Sequence, residues 1–212
     1  MNLNQRSIQH VLAAKQVTSL VHFTPMQNLD SIVKNNLLSR DQCKRVGIKP
    51  TTTDRFRYDG LLDYISVSLS FPNDRMFYLK QKDLGYSWAI LLLSPKVITS
   101  QPSLFFSSNA ASAKKANPLD GSGTADALSA MFGSRRNNSP SHGLGDCFPV
   151  DPQAEIMVKQ TIAKQYIQSI IFRSMTDYRN WIRAGGAPLG LKIIIDDTYF
   201  GQRNRLALNN NH

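Results

Sequence analysis

The sequence predicts an α+β domain on three observations. It holds several short β-prone runs, a few helical stretches with recognisable ends, and one long polar insertion directly ahead of the strand that bears the chain's lone glutamate. Its 212 residues suffice for one domain with a full core, and a hydrophobic content of 42% places it among globular chains. We therefore expect a single domain over residues 1–212, with its core at about 18–200 and the insertion at about 101–149.

Each element has a local reason. Ile8, Val11, Leu12 and Ala14 fall on one helical face within residues 4–16. Residues 18–23, TSLVHF, form a β-prone run, and Thr24-Pro25 reads as a hydroxyl cap followed by proline at a first helical position. That helix carries Leu29, Ile32 and Val33 and stops near Asn35-Asn36, since Asn tolerates the left-handed conformation. A polar, basic loop with at most a helical turn is expected from there to about Asp59. The strict alternation of YISVSLSF over 64–71 predicts a strand, Pro72-Asn73-Asp74 a turn, and Met76–Leu79 either a strand or a short helix. WAILLL over 88–93 has the continuous apolar character of a central strand, ended by Pro95, and Val97-Ile98 begin a short element. The stretch 101–149 is rich in Ser, Ala, Asn, Gly and Pro, with short helices expected near 109–116 and 124–131. Beyond it, strands are expected at 154–158, 166–172 and 191–195, a helix at 176–184 stopped by Gly185-Gly186, and a frayed tail from Gln202.

Charge and composition narrow the function. The net charge is +10, and residues 40–57 hold Arg40, Lys44, Arg45, Lys49, Arg55 and Arg57 against only Asp41 and Asp54. A basic surface concentrates polyanions, which puts nucleic-acid contact ahead of a generic solubility charge. No apolar run approaches the ~20 residues of a membrane span. The N-terminus lacks the layout of a signal peptide, and Cys43 and Cys147 have neither metal-ligand nor disulfide-framework spacing, so a cytoplasmic location is expected. The four histidines, His10, His22, His142 and His212, are scattered without ligand spacing, so no metal is expected. No GxGxxG, GxxxxGK[ST] or GxSxG occurs, which leaves dinucleotide-fold, P-loop and serine-hydrolase readings without an anchor.

Of the 15 acidic residues, fourteen are Asp and one is Glu155. Three features could carry chemistry: His22 in an apolar strand, the Arg55–Gly60 run ahead of a strand, and Asp151-Pro152-Gln153-Ala154-Glu155 where a loop enters a strand. Taken singly, each has a plain structural reading: a satisfied core histidine, a solvated loop, an exposed carboxylate.

Together they resemble the DarT family of DNA ADP-ribosyltransferases. Val21-His22-Phe23-Thr24, followed by Asn28–Ile32 and Asn35–Arg40, is similar to the family's opening. Arg57-Tyr58-Asp59-Gly60 and Asp63–Ser68 resemble its arginine segment and following strand, and Asp151–Val158 the segment of its catalytic glutamate. The resemblance runs over roughly 18–183 in order, with a long loop ahead of the glutamate. Asn36 stands where glycine is expected, and Arg55 and Arg57 both offer themselves as the functional arginine, with Arg57 favoured.

The resemblance implies an ADP-ribosyltransferase-like core of short, mostly antiparallel strands with flanking helices. It implies NAD as co-substrate, single-stranded DNA as acceptor, a toxin's role in a toxin–antitoxin or phage-defence system, and a macrodomain antitoxin as partner. Glu155 would steady the oxocarbenium-like ribose as nicotinamide leaves, a role for which Asp is one methylene short. His22, Phe23 and Thr24 would position NAD. Arg57 would pair with the pyrophosphate or help remove a proton from the base; arginine is a poor base, which favours anchoring. Phe105, Asn109, Lys114, Lys115, Arg135, Arg136 and His142 would read the acceptor, because aromatics interleaved with cations suit unstacked bases. Transfer to RNA or protein, and a non-catalytic nucleic-acid-binding module, are the competing readings.

Overall fold

The first helix begins where a capping box closes on itself: Asn2 Oδ1 accepts from the Gln5 amide at 2.8 Å while Gln5 Oε1 accepts from the Asn2 amide at 2.8 Å. In this computed structural model, which describes residues 1–53, 59–112, 117–133 and 143–203, the box opens α1 (Leu3–Ala14), whose buried face is Ile8 and Leu12. Strand β1 (Leu20–Pro25) follows and runs two residues beyond the expected run. Pro25 ends the strand, opposite Trp88, instead of starting a helix. The Thr24 hydroxyl accepts from Asn28 Nδ2 at 3.1 Å, not from a helix amide, so the cap reading of Thr24-Pro25 is corrected. A 3-10 turn (Met26–Asn28) leads into α2 (Leu29–Asn35), which stops at Asn36 with φ of 74°.

The two-residue strand β2 (Leu37–Leu38) precedes α3 (Arg40–Arg45), a short helix capped by Ser39 where a loop with a helical turn was expected. Strand β3 (Tyr64–Leu69) ends at Ser70. The segment left open between strand and helix is α4 (Asp74–Leu84); Asn73 Oδ1 accepts from the Met76 amide at 3.1 Å and left-handed Gly85 ends it. Then come β4 (Trp88–Leu93) and the single turn α5 (Val97–Ser100).

The expected insertion starts later than its composition suggests. Ser103–Phe106 form β5, and the loop that follows contains α6 (Ala125–Ala130), capped by Thr124. Residues 109–112 hold a turn in place of the helix expected near 109–116, whose remainder lies outside the described residues. Strands β6 (Glu155–Lys159), β7 (Thr161–Ile162) and β8 (Ile167–Phe172), helix α7 (Met175–Arg183) and strand β9 (Lys192–Ile195) complete the order. The tail is ordered further than expected: Arg203 is buried, and its guanidinium donates to the carbonyls of Pro149 and Val150 at 3.0 Å each.

Seven strands form one sheet in the order β5-β6-β3-β1-β4-β8-β9, and β2 pairs with β7. All neighbours in the large sheet are antiparallel except β8 and β9. One face carries the larger core, with Leu20, Leu69, Leu91, Phe105, Ile156 and Ile170 packed beneath helices that include α1, α2 and α6. The other face is smaller and aromatic around Phe77 and Trp88 (ring centroids 5.3 Å apart), with Phe23 stacked on Phe77 at 4.5 Å. No helix of the described residues is long and apolar enough to cross a membrane.

Helix α7 docks through Trp181, whose indole N–H donates to Asp30 at 3.0 Å. The chain turns under that ring at Gly186, where an added Cβ would lie 2.3 Å from a ring carbon. Gly186→Ala therefore overpacks the α7 contact. We expect it to lower stability by about 1–3 kcal/mol, read as a fall in Tm of roughly 2–4 °C per kcal/mol in a thermal melt.

Candidate active site

The central sheet does not stay paired. Strand β1 matches β4 over six residues, from Leu20/Leu93 to Pro25/Trp88, but matches β3 only at Leu20/Leu69 and Val21/Ser68. Beyond that point β1 and β3 part, and a cleft of about 400 Å³ opens between them, within the range of small-molecule and cofactor sites. It is walled by β1, α2, α3 and α4, by the Pro50–Thr53 loop, and by the β3/β6 side of the sheet.

His22 sits at the fork. Its Nδ1 lies 2.9 Å from the carbonyl oxygen of Ser66, so Nδ1 carries the proton and donates. The imidazole thus satisfies a β3 carbonyl at a level where β1 no longer pairs with β3. In the neutral ring this fixes the tautomer and makes Nε2 the acceptor nitrogen.

Glu155 is 4% exposed, and a carboxylate at that depth needs donors. Ser66 Oγ donates to Oε1 at 3.4 Å and the Ala110 amide donates to Oε2 at 3.0 Å. Register explains the reach. Ser68 lies opposite Val21 and Ser66 opposite Met157, so the face that is aromatic at β1 and β4 turns polar at β3 and meets Glu155 two residues before Met157. Ser66 is therefore a joint, its carbonyl held by His22 and its hydroxyl on Glu155.

The opposite wall is pinned by Asn28. Its side chain accepts from the Thr51 amide at 2.8 Å and donates to the Thr51 carbonyl at 2.9 Å, imitating a strand pairing. Lys80 Nζ donates to the Thr53 carbonyl at 2.6 Å. Arg40 and Lys80 both line the cleft, and their positive charge suits an anionic ligand. Cys43, on α3, is a buried thiol whose pKa is raised by burial, which suits a core group and not a nucleophile. Among the described residues no group of His, Cys, Asp or Glu is arranged to hold a metal ion.

Of the residues singled out from sequence, His22, Phe23, Thr24, Asn109 and Glu155 line this one cleft. Phe105 does not. It is fully buried in the larger core, with Ile156 opposite it on β6, so it cannot stack a base and its acceptor-reading role is corrected to core packing. Arg55, Arg57, Lys114, Lys115, Arg135, Arg136 and His142 lie outside the described residues. Sequence reading missed Ser66, Asn28, Arg40 and Lys80. The alternation of YISVSLS could have marked Ser66, since hydroxyls on one face of a central strand ask for a polar partner. Asn28 had no local signal, because its partner is 23 residues away.

No curated protein matches the chain. Solved structures share its fold. Thermosipho africanus DarTG in complex with ADP-ribose matches at a TM-score of 0.56 and 20% identity, covering 86% of this chain and 51% of that one. The chain thus spans about half the length of that protein. Thermus sp. 2.9 DarT in complex with NAD+ matches at 0.57 and 16% identity, covering 87% of this chain and 98% of that one. The same Thermus protein in complex with ADP-ribosylated ssDNA matches at 0.54 and 15% identity, covering 87% and 97%. The family model described as ssDNA thymidine ADP-ribosyltransferase, DarT, matches residues 21–200, and the chain belongs to that family.

Proposed function

We propose that this protein takes ADP-ribose from NAD and transfers it to a thymine base of single-stranded DNA, with Glu155 as the catalytic carboxylate. The observation that carries the reading is a buried glutamate joined through Ser66 to His22, inside a cleft of about 400 Å³ at the fork of the sheet. The acceptor base follows from the description of the family, and NAD from the ligands of the Thermus structures.

Departure of nicotinamide leaves positive charge on the ribose carbon and ring oxygen. Glu155 places negative charge beside it and accepts from a ribose hydroxyl. Its donors are fixed before substrate arrives, so little reorganisation is needed during reaction. His22, Phe23 and Thr24 hold the NAD ribose, with the imidazole oriented by Ser66. Arg40 and Lys80 face the same space and suit the pyrophosphate, together with Arg57 as an anchor. Arg57 could instead help remove the proton that the base loses as its new glycosidic bond forms, but a guanidinium pKa above ~12 favours anchoring. Asn109 stands beside Glu155 on the acceptor side, with Lys114, Lys115, Arg135, Arg136 and His142 as further acceptor contacts. In the cell we read the protein as a toxin, neutralised by a macrodomain antitoxin that removes the mark.

Three substitutions test the reading. Glu155→Gln keeps the shape and the Ser66 contact but removes the charge. Transfer to a thymine-containing oligonucleotide, followed by mass spectrometry with NAD, should fall by about 10²–10³-fold or more, with Tm nearly unchanged. Label found only on RNA or on protein would overturn the DNA assignment, full transfer by Glu155→Gln would overturn Glu155 as the catalytic carboxylate, and a wild type that makes no product would favour a non-catalytic binding module. His22→Ala should raise KM for NAD about tenfold, equivalent to ~1.4 kcal/mol; an unfolded variant would instead mark His22 as a core residue. Asn28→Ala releases Thr51 from its wall. It should raise KM for NAD and cost about 1–3 kcal/mol of stability in denaturant unfolding, from hydrogen bonds with net worth of ~0.5–1.5 kcal/mol each.

A further inference from the structure

Asp120 lies in the loop after β5, is 6% exposed, and has no part in the chemistry derived above. Its carboxylate gathers three donors. Oδ1 accepts from the Ser107 amide at 2.7 Å, while Oδ2 accepts from the Asn117 amide at 3.0 Å and from Ser107 Oγ at 3.2 Å. One buried acid thus ties together two points ten residues apart.

The tied segment ends at the catalytic carboxylate. Between Ser107 and Asn117 it presents the Ala110 amide to Glu155 Oε2 at 3.0 Å and sets Asn109 in the cleft wall. Its base is fixed on the rigid sheet. The Gly121 amide donates to the Phe105 carbonyl at 2.9 Å and the Phe105 amide to the Ser122 carbonyl at 3.0 Å. Asn4 of α1 then grips the next turn, donating to the Gly123 carbonyl at 2.8 Å and accepting from the Ala125 amide at 3.0 Å. At Gly123 itself an added Cβ would sit 2.6 Å from the Ser103 carbonyl oxygen, so the backbone lies close against β5.

We propose that Asp120 is a positioning residue for the transfer step: it clamps the Ser107–Ser112 strap at Ser107 so that the Ala110 amide fixes Glu155. The inference rests on the reading of Glu155 as the catalytic carboxylate. An asparagine in its place can still accept at one oxygen, but its amide nitrogen cannot accept from the Asn117 amide or the Ser107 hydroxyl. The strap then loosens while the sheet stays intact. Displacement of a reacting group by about 1 Å can cost roughly 10²-fold in rate, so the effect belongs in kcat and not in NAD binding.

The test compares wild type with Asp120→Asn and with the milder Ser107→Ala, which removes only the hydroxyl bond. Steady-state transfer from NAD to a thymine-containing oligonucleotide is measured beside amide hydrogen exchange resolved by peptide. The expected result for Asp120→Asn is a kcat lowered about ten- to hundredfold, KM for NAD within about twofold, and faster exchange over residues 107–111 with β1, β3 and β4 unchanged. Ser107→Ala should move the same readings in the same direction by less, and it carries the test if Asp120→Asn does not fold. Faster exchange at 107–111 with wild-type kcat would overturn the proposal. So would a rate loss accompanied by faster exchange throughout the sheet, which is the signature of a purely structural acid. A wild type that makes no ADP-ribosyl product overturns the transferase reading and this proposal with it, whereas unchanged exchange at 107–111 overturns the clamp alone.

Discussion

The site depends on a loss of pairing. Had β1 stayed in register with β3 beyond Val21/Ser68, the two strands would have closed against each other and left no space between them. Their parting leaves backbone groups that must be satisfied another way, because an orphaned buried carbonyl costs free energy comparable to a lost hydrogen bond. The His22 ring takes up one such carbonyl at Ser66. The histidine that faces the cleft is therefore also part of what keeps the cleft open at tolerable cost.

From that fork the other features follow. The face that carries Val21, Phe77 and Trp88 as an aromatic cluster changes character where β1 stops covering β3, and Ser66 and Ser68 take the place of apolar residues. Glu155 enters at the same level on the next strand, and Ser66 couples it to His22. The far wall is built differently, from a loop held by side chains and not by a ladder: Asn28 copies a strand partner for Thr51, and Lys80 takes the Thr53 carbonyl. A wall of this kind can adapt to a ligand more readily than a hydrogen-bonded strand, in keeping with the general placement of binding residues on loops held by a rigid scaffold.

The elements with strong periodicity or capping were legible in the sequence. WAILLL at 88–93 became a strand, the alternation at 64–71 a strand over Tyr64–Leu69, and the helix near 124–131 sits where Thr124 caps it. The failures have specific causes. Four residues, Ser103–Phe106, are too few to declare a period, and their serine-rich surroundings hid a strand whose partner is fifty residues on. That error carried Phe105 from the core into a proposed base-reading role. Thr24-Pro25 satisfied a local helix-start pattern, but pairing with β4 through Trp88 outweighed it. Arg203 looked like part of a polar tail because its partners, the Pro149 and Val150 carbonyls, are backbone groups that no side-chain pattern announces. At the site, His22 and Glu155 were legible through residue type and family resemblance. Ser66 carried a signal only in the hydroxyls on one face of its strand, and Asn28 carried none, since its partner is brought to it from 23 residues away.

The lone glutamate can now be set against the fourteen aspartates in geometric terms. Glu155 begins β6, opposite Phe106, and must reach across to the Ser66 hydroxyl on β3 while meeting the Ala110 amide with its other oxygen. The Ser66 contact is already long at 3.4 Å, so a side chain shorter by one methylene would give up that contact or pull the strap inward. Desolvating the carboxylate costs stability, and the donors from Ser66 and Ala110 offset part of it. The geometry around Glu155 holds the group in place, at one end by a strand hydroxyl and at the other by a strap amide, and both anchors reach it from outside its own strand.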